Sequence, residues 1–132
     1  MLRNMLDTNL CTRLLRDRPQ ELRPRFNADA ETLCISTITL AELLHGAAKP
    51  AENRRGVEGL AARLVVLAFD EDAAAHAGDI HAELERRGQV IGPYDILIAG
   101  HARSRGLVVV TGNLGEFHRV EGLRAEDWLA TS

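Results

Sequence analysis

Four acidic side chains in this sequence have the chemical type and the spacing to act together: Asp7, Glu42, Asp95 and Glu116. Clustered carboxylates are the usual ligands of hard divalent cations such as Mg²⁺ and Mn²⁺. Such an ion activates water for attack on a phosphodiester and stabilises the negative charge that grows on the phosphoryl oxygens. Metal-assisted phosphodiester hydrolysis is therefore the chemistry that these residue types indicate.

The elements that must position these acids are predicted by hydrophobic patterning. Continuously apolar segments, "RNML", "TLCIST", "VVLAF" and "LVVVT", alternate with segments of helical periodicity. Strands that are apolar on both faces and separated by helices are typical of a parallel sheet covered on both sides. We therefore expect an α/β fold with three layers, α/β/α, around a central parallel sheet. Ligands of such sheets gather at the carboxyl edge of the strands.

Helices that follow parallel strands begin at this carboxyl edge, so at least three of the four acids are expected to share one crevice. Asp95 joins them if its apolar helix runs in the usual direction. Capping boxes, Thr39 with Glu42 and Asn113 with Glu116, would each explain one acid in the first turn of a helix. Unpaired carboxylates about 4 Å apart, however, repel by about 4 kcal/mol at an effective dielectric of about 20, more than a cap contributes. The sequence therefore predicts a bound cation.

Length and composition limit the remaining possibilities. The 132 residues predict a single domain, 1–132, with 45% hydrophobic and 27% charged residues and a net charge of −3. No apolar run approaches the roughly 18 residues of a membrane span, and the start lacks the design of a secretion signal, so we expect a cytoplasmic protein without membrane association. Cys11 and Cys34 form no metal-binding or disulfide pattern. Every basic residue except Lys49 is an arginine.

Four segments carry a family resemblance: "MLDTN", "STITLAELLHG", "GPYDILIAGHARSRG" and "VVTGNLGEFHRVEGLRAEDW". Together they resemble the PIN-domain ribonucleases, most closely the VapC toxins of bacterial toxin-antitoxin pairs, over nearly the whole chain. The resemblance implies an Mg²⁺- or Mn²⁺-dependent endoribonuclease that cleaves structured RNA such as tRNA. It also implies a homodimer that is inhibited by a VapB-type antitoxin, whose tail threads over the site, in a complex that binds operator DNA chiefly through the antitoxin.

The resemblance also assigns roles to the four acids. Asp7 and Asp95 match the acids most firmly tied to the metal. Glu42 and Glu116 match the remaining acidic positions, which complete the site through ligated water or by accepting a proton. The metal ligands implied are therefore Asp7, Asp95 and Glu116, and all four acids are implied to be catalytic.

Polar neighbours of the acids match as well, with one departure. Thr8, Asn9 and Thr111 match residues that orient the acidic groups. Asn113 stands where many family members carry an acid, which places more weight on Glu116 and favours catalysis with one metal ion. A neutral Asn113 can still donate a hydrogen bond to the scissile phosphate.

Two other functions compete with this interpretation. An aspartyl-phosphate phosphatase of the haloacid dehalogenase type also begins with a strand that ends in Asp, but it needs a second Asp two residues later, where Asn9 stands. A catalytically silent PIN-like binding module is the other alternative, although loss of catalysis normally removes acids and all four are present.

Arginines concentrated early in the chain suggest binding to RNA or to an acidic antitoxin tail: Arg13, Arg16, Arg18, Arg23 and Arg25.

Overall fold

The computed structural model describes residues 1–16, 20–47 and 51–129. Its centre is a parallel five-stranded sheet with the strand order β3-β2-β1-β4-β5. The strands are β1 (Asn4–Leu6), β2 (Leu33–Ser36), β3 (Val65–Leu67), β4 (Val108–Val110) and β5 (Ala125–Glu126). The helices are α1 (Thr8–Arg16), α2 (Arg23–Ala28), α3 (Thr37–Gly46), α4 (Ala51–Ala62), α5 (Glu71–Arg86), α6 (Pro93–Ser104) and α7 (Leu114–Phe117). The predicted three-layer α/β/α fold is confirmed.

Side chains of the central strands alternate between two hydrophobic cores. Met5 of β1 and Val109 of β4 belong to the core beneath α5 and α6, whereas Leu6 and Val110, the next residue of each strand, belong to the core beneath α1 to α4. This alternation follows from the two-residue period of a strand. Because both faces are covered, both sets of side chains are apolar, which explains the continuously apolar pattern in the sequence.

Helix α6 is packed so closely against α5 that there is no space for a side chain at Gly100. A Cβ atom on Gly100 would lie 2.5 Å from the backbone nitrogen of Ala77. Ile98 and Ala99 of the same helix are fully buried. The helix ends at Ser104, and Gly106 follows with a φ of 66°, the left-handed conformation typical of a residue after a helix. The body of α6 is therefore held firmly in the core.

In the part of the chain that the structure describes, no helix is both long enough and apolar enough to cross a membrane.

Candidate active site

Asp7 lies directly after β1, at the carboxyl edge of the sheet, and its side chain is fully buried. Its Oδ1 accepts a hydrogen bond from the Leu10 backbone N–H at 2.8 Å, and its Oδ2 accepts one from the Thr111 hydroxyl at 2.5 Å. Burial raises the pKa of the carboxyl above its usual value. Its two hydrogen bonds oppose this rise, while the negative charges of Glu42 and Asp127 add to it. The two hydrogen bonds therefore fix the orientation of the Asp7 carboxylate, and its burial makes the position unfavourable to its negative charge.

Glu42 reaches the same edge from the second turn of α3, since this helix begins at Thr37. The prediction that it lies in the first turn is wrong. The Thr8 hydroxyl donates to Glu42 Oε1 at 2.6 Å and lies 3.3 Å from the Thr39 hydroxyl. Thr8 therefore ties α1 to α3 and sets the orientation of the Glu42 carboxylate.

The predicted capping box of Thr39 and Glu42 is also wrong. The residue that caps α3 is Ser36, whose hydroxyl accepts a hydrogen bond from the Ile38 N–H at 3.0 Å. Ser36 Oγ is also 2.8 Å from His101 Nδ1, in the interior of the protein. Capping therefore does not account for the acid at position 42. The contact between Ser36 and His101 links the start of α3 to the body of α6.

Asp95 lies in the first turn of α6, as predicted. Burial is the largest cause that raises its pKa, to about 8. The next causes are a hydrogen-bonding contact between its carboxyl and that of Glu116, and then the negative charges of Glu116, Asp7 and Glu42. The charges of all four predicted acids thus act on one another at the carboxyl edge of the sheet.

Glu116 comes from the short helix α7, which follows β4. Its Oε2 is buried and has no hydrogen-bond partner among the described residues. The Asn113 side chain makes no capping hydrogen bond to this helix, so the predicted capping box of Asn113 and Glu116 is wrong. Two facing carboxylates without a donor between them require a shared proton or a cation. This is the observation in the site that most directly calls for a ligand.

Thr111 connects the two halves of the site. Its hydroxyl donates to Asp7 and accepts the Asn113 backbone N–H at 2.8 Å. It therefore holds the loop after β4 against the carboxylate that ends β1. Asn9 is exposed on α1, beside Thr8.

Arg13 is the basic side chain that the structure places beside this loop. A Cβ atom on Gly112 would lie 3.9 Å from Arg13 Nη1. The guanidinium is therefore next to the residue that follows Thr111, at the rim of the acidic site. Among the other early arginines, Arg18 lies outside the described residues.

Asp127 is an acid near the site that the sequence patterns did not single out. It follows β5, its carboxylate accepts the Leu129 N–H at 2.8 Å, and its charge raises the pKa of Asp7. The signal that would have found it is the same one that found Asp7, an acid directly after a strand. It was missed because β5 has only two residues and leaves no apolar segment in the sequence.

The donor set fits a hard divalent cation in its chemistry, because the four acids present carboxylate oxygens, the ligands that Mg²⁺ and Mn²⁺ prefer. In residues 1–16, 20–47 and 51–129, no three His, Cys, Asp or Glu side chains converge closely enough to enclose an ion as they stand. The acids are instead engaged with hydroxyl donors or with one another. Glu116 Oε2 is the carboxylate oxygen of these acids that is buried and lacks a hydrogen-bond partner among the described residues.

A cavity of about 1080 Å³ lies between the four helices on one side of the sheet, and we call it the α1–α4 groove. Its apolar lining includes Leu14, Leu15, Phe26, Leu43, Val57 and Leu60. Arg16, Arg23 and Arg63 line it as well, and Glu42 is the one of the four acids that lines it. The groove therefore combines apolar and basic groups and shares Glu42 with the acidic cluster.

Comparison with known families identifies the class of this fold and site. The PIN domain family matches residues 5–123, which include all four acids. The chain belongs to the PIN domain family.

Relatives of known name define its position within the family. The tRNA(fMet)-specific endonuclease VapC of Salmonella typhimurium is 54% identical over 131 residues, which are 97% of this chain and 99% of the relative. Ribonuclease VapC2 of Haemophilus influenzae is 47% identical over 132 residues, 98% of this chain and 100% of the relative. The chain is thus one of the VapC ribonucleases.

Solved structures agree with this placement. DNA-bound VapBC from Salmonella typhimurium superposes with a TM-score of 0.94 at 54% identity, covering 97% of this chain and 99% of that chain. VapBC2 from Rickettsia felis, bound to a DNA fragment from its promoter, gives a TM-score of 0.91 at 32% identity, covering 96% and 99%. Divalent-metal dependence is a general property of PIN-domain ribonucleases.

Proposed function

We propose that this protein is the toxin of a type II toxin-antitoxin pair, an Mg²⁺- or Mn²⁺-dependent endoribonuclease of one domain, 1–132, that acts in the cytoplasm as a homodimer. Its substrate is a structured RNA, and the name of the Salmonella typhimurium relative suggests tRNA(fMet). A VapB-type antitoxin inhibits it, and the complex of the two binds operator DNA.

The observation that carries the proposal is the contact between the Asp95 and Glu116 carboxyls, with Glu116 Oε2 buried and lacking a donor. Asp7 and Glu42 add negative charge to the same place. A fold does not retain such an arrangement for stability, since repulsion between buried carboxylates is unfavourable. It is explained if a cation occupies the site during function.

Each residue then has a task that its contacts support. Asp7, Asp95 and Glu116 would hold the cation, which when bound supplies an activated water and neutralises charge on the phosphoryl oxygens. Thr111 keeps Asp7 oriented through its hydrogen bond to Oδ2. Glu42, whose Oε1 is occupied by the Thr8 hydroxyl, has Oε2 left to accept a proton. The family resemblance assigns Asn9 to orienting the acids and Asn113 to donating a hydrogen bond to the phosphate.

The α1–α4 groove is the proposed binding site of the antitoxin. Its apolar lining suits an amphipathic segment, and Arg16, Arg23 and Arg63 suit acidic residues on that segment. A chain bound in this groove would lie against Glu42 and thereby obstruct the acidic cluster at this residue. This explains inhibition without any change in the catalytic residues.

The alternatives have weaker support. The match to the PIN domain family over residues 5–123 gives no reason to retain the haloacid dehalogenase type of phosphatase. A silent binding module would not need the unfavourable cluster of carboxylates described above.

The test is RNA cleavage by purified protein with Mg²⁺ or Mn²⁺ and with EDTA, for the wild type and for Asp7→Asn and Asp95→Asn. We expect cleavage of tRNA only with the metal, and a loss of at least about 100-fold in each variant, because loss of a ligand exceeds the typical effect of losing a ligand's partner. Asp79→Asn, an exposed acid on α5, is the matched control and should cleave normally. Cleavage in EDTA at the wild-type rate would refute the proposal.

A further inference from the structure

Tyr94 is an exposed aromatic side chain in the first turn of α6, directly before Asp95. Its accessibility is 54%, and it is the one exposed large aromatic among the described residues, since Phe26 and Phe117 are buried and Phe69 and Trp128 are partly buried. Apolar side chains exposed singly are common, but an aromatic ring beside a nuclease site has an additional use, because every nucleobase presents a flat face that stacks on such a ring.

The position of Tyr94 is tightly determined. It is the second residue of α6, between Pro93 and Asp95. Proline at the start of a helix fixes the backbone, and the rest of α6 is buried in the core, so this first turn has little freedom to move. Consecutive residues of a helix point about 100° apart, and their Cα atoms are about 3.8 Å apart, so Tyr94 and Asp95 leave the same helical turn in different directions.

The loop before α6 continues this surface. Val90 is 48% exposed, and its carbonyl accepts a hydrogen bond from Arg119 Nη1 at 3.3 Å. The Arg119 carbonyl in turn accepts one from Arg87 Nη2 at 2.7 Å. Arg119 lies three residues after Glu116, so the loop is anchored to the segment that carries the other member of the carboxyl pair. The segments next to Asp95 and Glu116 in the chain therefore carry an exposed apolar side chain, Val90, and a hydrogen-bonded arginine, Arg119.

An acidic site needs such a surface to hold RNA. The four carboxylates repel a phosphate backbone, and the net charge of the chain is −3, so general electrostatic attraction is weak. Stacking of a base on an aromatic ring requires no charge and is insensitive to salt compared with ionic contacts. Tyr94, exposed and next to Asp95 in the chain, is the aromatic side chain available for this interaction.

We propose that Tyr94 forms a nucleobase-binding subsite, in which the base of a nucleotide next to the scissile phosphate stacks on its ring. This inference rests on the proposed ribonuclease function. The subsite accepts any base on stacking grounds, so it contributes to affinity and to the position of the cut bond more than to the reading of sequence.

The first experiment compares steady-state cleavage of tRNA by the wild type, Tyr94→Ala and Tyr94→Phe. We expect Tyr94→Ala to raise KM about 5- to 100-fold while kcat changes little, and Tyr94→Phe to resemble the wild type, because the ring and not the hydroxyl makes the contact. Val65→Ala, which removes an exposed apolar side chain on β3, is the control and should leave both constants unchanged.

The second experiment measures binding without cleavage. Each variant is combined with Asp7→Asn and mixed with the substrate RNA carrying 2-aminopurine beside the mapped cleavage position. Fluorescence of this base should be quenched by stacking in the Asp7→Asn protein and with Tyr94→Phe, and the quenching should be lost with Tyr94→Ala. The quenching lost in Tyr94→Ala, relative to the Asp7→Asn protein, should be the same at low and at higher salt. This result supports stacking over an ionic contact.

Two results would overturn the subsite. One is unchanged KM and unchanged quenching in Tyr94→Ala. The other is a change of Tyr94→Ala from dimer to monomer in light scattering, with KM restored at protein concentrations that re-form the dimer, which would make Tyr94 a subunit contact. Failure of the proposed ribonuclease function can be distinguished from failure of the subsite. If the proposed function is wrong, the Asp7→Asn protein still cleaves RNA.

Discussion

The two helical layers of this protein differ in how completely they are packed. On one side of the sheet, α5 and α6 touch so closely that Gly100 has no room for a Cβ atom. On the other side, α1 to α4 leave the α1–α4 groove, about 1080 Å³ in volume, open with an apolar lining. Both layers cover parallel strands with apolar side chains, yet only one of them forms a closed core.

This difference separates two tasks. The closed layer holds α6 and thereby Asp95, whose carboxyl group must stay near Glu116 despite repulsion. The open layer contains the α1–α4 groove, which Glu42 lines and which is the proposed binding site of the antitoxin. Precision is needed where charges are forced together, and an unfilled surface is needed where a partner binds. Variants that fill space in each layer should therefore have different consequences.

The largest effect is expected from Gly100→Ala in the closed layer. The new methyl group would lie within 2.5 Å of the Ala77 backbone, and backbone cannot move aside as a flexible side chain does. Such overpacking typically costs about 1–3 kcal/mol, and here the free energy of unfolding should fall by at least the upper figure. Thermal unfolding followed by circular dichroism measures this, together with loss of RNA cleavage as Asp95 is displaced.

Gly78→Ala is the matched control for that variant. Gly78 is exposed on α5, and a Cβ atom there meets nothing within 4 Å. Alanine favours helix over glycine by up to about 1 kcal/mol, so this variant should be as stable as the wild type or more stable. Equal stability of the Gly100→Ala and Gly78→Ala proteins would contradict the account of the closed layer.

A smaller and more selective effect is expected from Gly59→Phe in the open layer. Gly59 lines the α1–α4 groove, and a Cβ atom there has open space around it. A phenyl group should fill the groove, weakening antitoxin binding at least about 10-fold by steric exclusion while RNA cleavage is retained. Calorimetric titration with the antitoxin measures the affinity. Gly78→Phe should bind the antitoxin normally. Equal weakening of antitoxin binding in both variants would show that the groove is not the antitoxin-binding site.

The smallest effect is expected from pH on the metal-free protein. The pKa of Asp95 is raised from 3.8 to about 8, by burial first and then by Glu116, Asp7 and Glu42. A carboxyl whose pKa is higher in the folded than in the unfolded state stabilises the fold at low pH and loses that contribution as the pH rises through the folded pKa. The Tm in EDTA should therefore fall between about pH 4 and about pH 8.

Two comparisons sharpen the pH prediction. Asp95→Asn should show a flatter dependence of Tm on pH, because the amide does not ionise. Addition of Mg²⁺ should raise the Tm of the wild type more at pH 8 than at pH 5, since ligation requires the ionised carboxyl. A Tm in EDTA that rises steadily over this range would show that the acidic cluster is not what limits stability there.

The long apolar patterns made most of the fold predictable. The strands β1, β2 and β4 are buried on both faces, and their residues are apolar except Asn4, which begins β1, and Ser36, which ends β2. The two-residue strand β5 left no pattern, because it lies at the edge of the sheet and only one residue of it is partly buried. For the same reason Asp127, which follows it, was not connected with Asp7.

The candidate site was predictable as a set of residues but not in its contacts. Asp95 occupies the first turn of α6 as the pattern indicated. Glu42 does not, because Ser36 is the capping residue of α3 and shifts the start of the helix three residues earlier than Thr39 would. A serine followed by two threonines offers alternative caps that local sequence does not rank.

By itself, the sequence determined the α/β class, the carboxyl edge as the place for chemistry and the identity of the acids, because apolar continuity and residue type are local properties. The tertiary structure alone decided that Thr8 holds Glu42, that Thr111 holds Asp7 and that Asp95 faces Glu116. It also decided that one helical layer is closed and the other open. These depend on the packing of segments distant in the chain, and packing is set by the shapes of many side chains together.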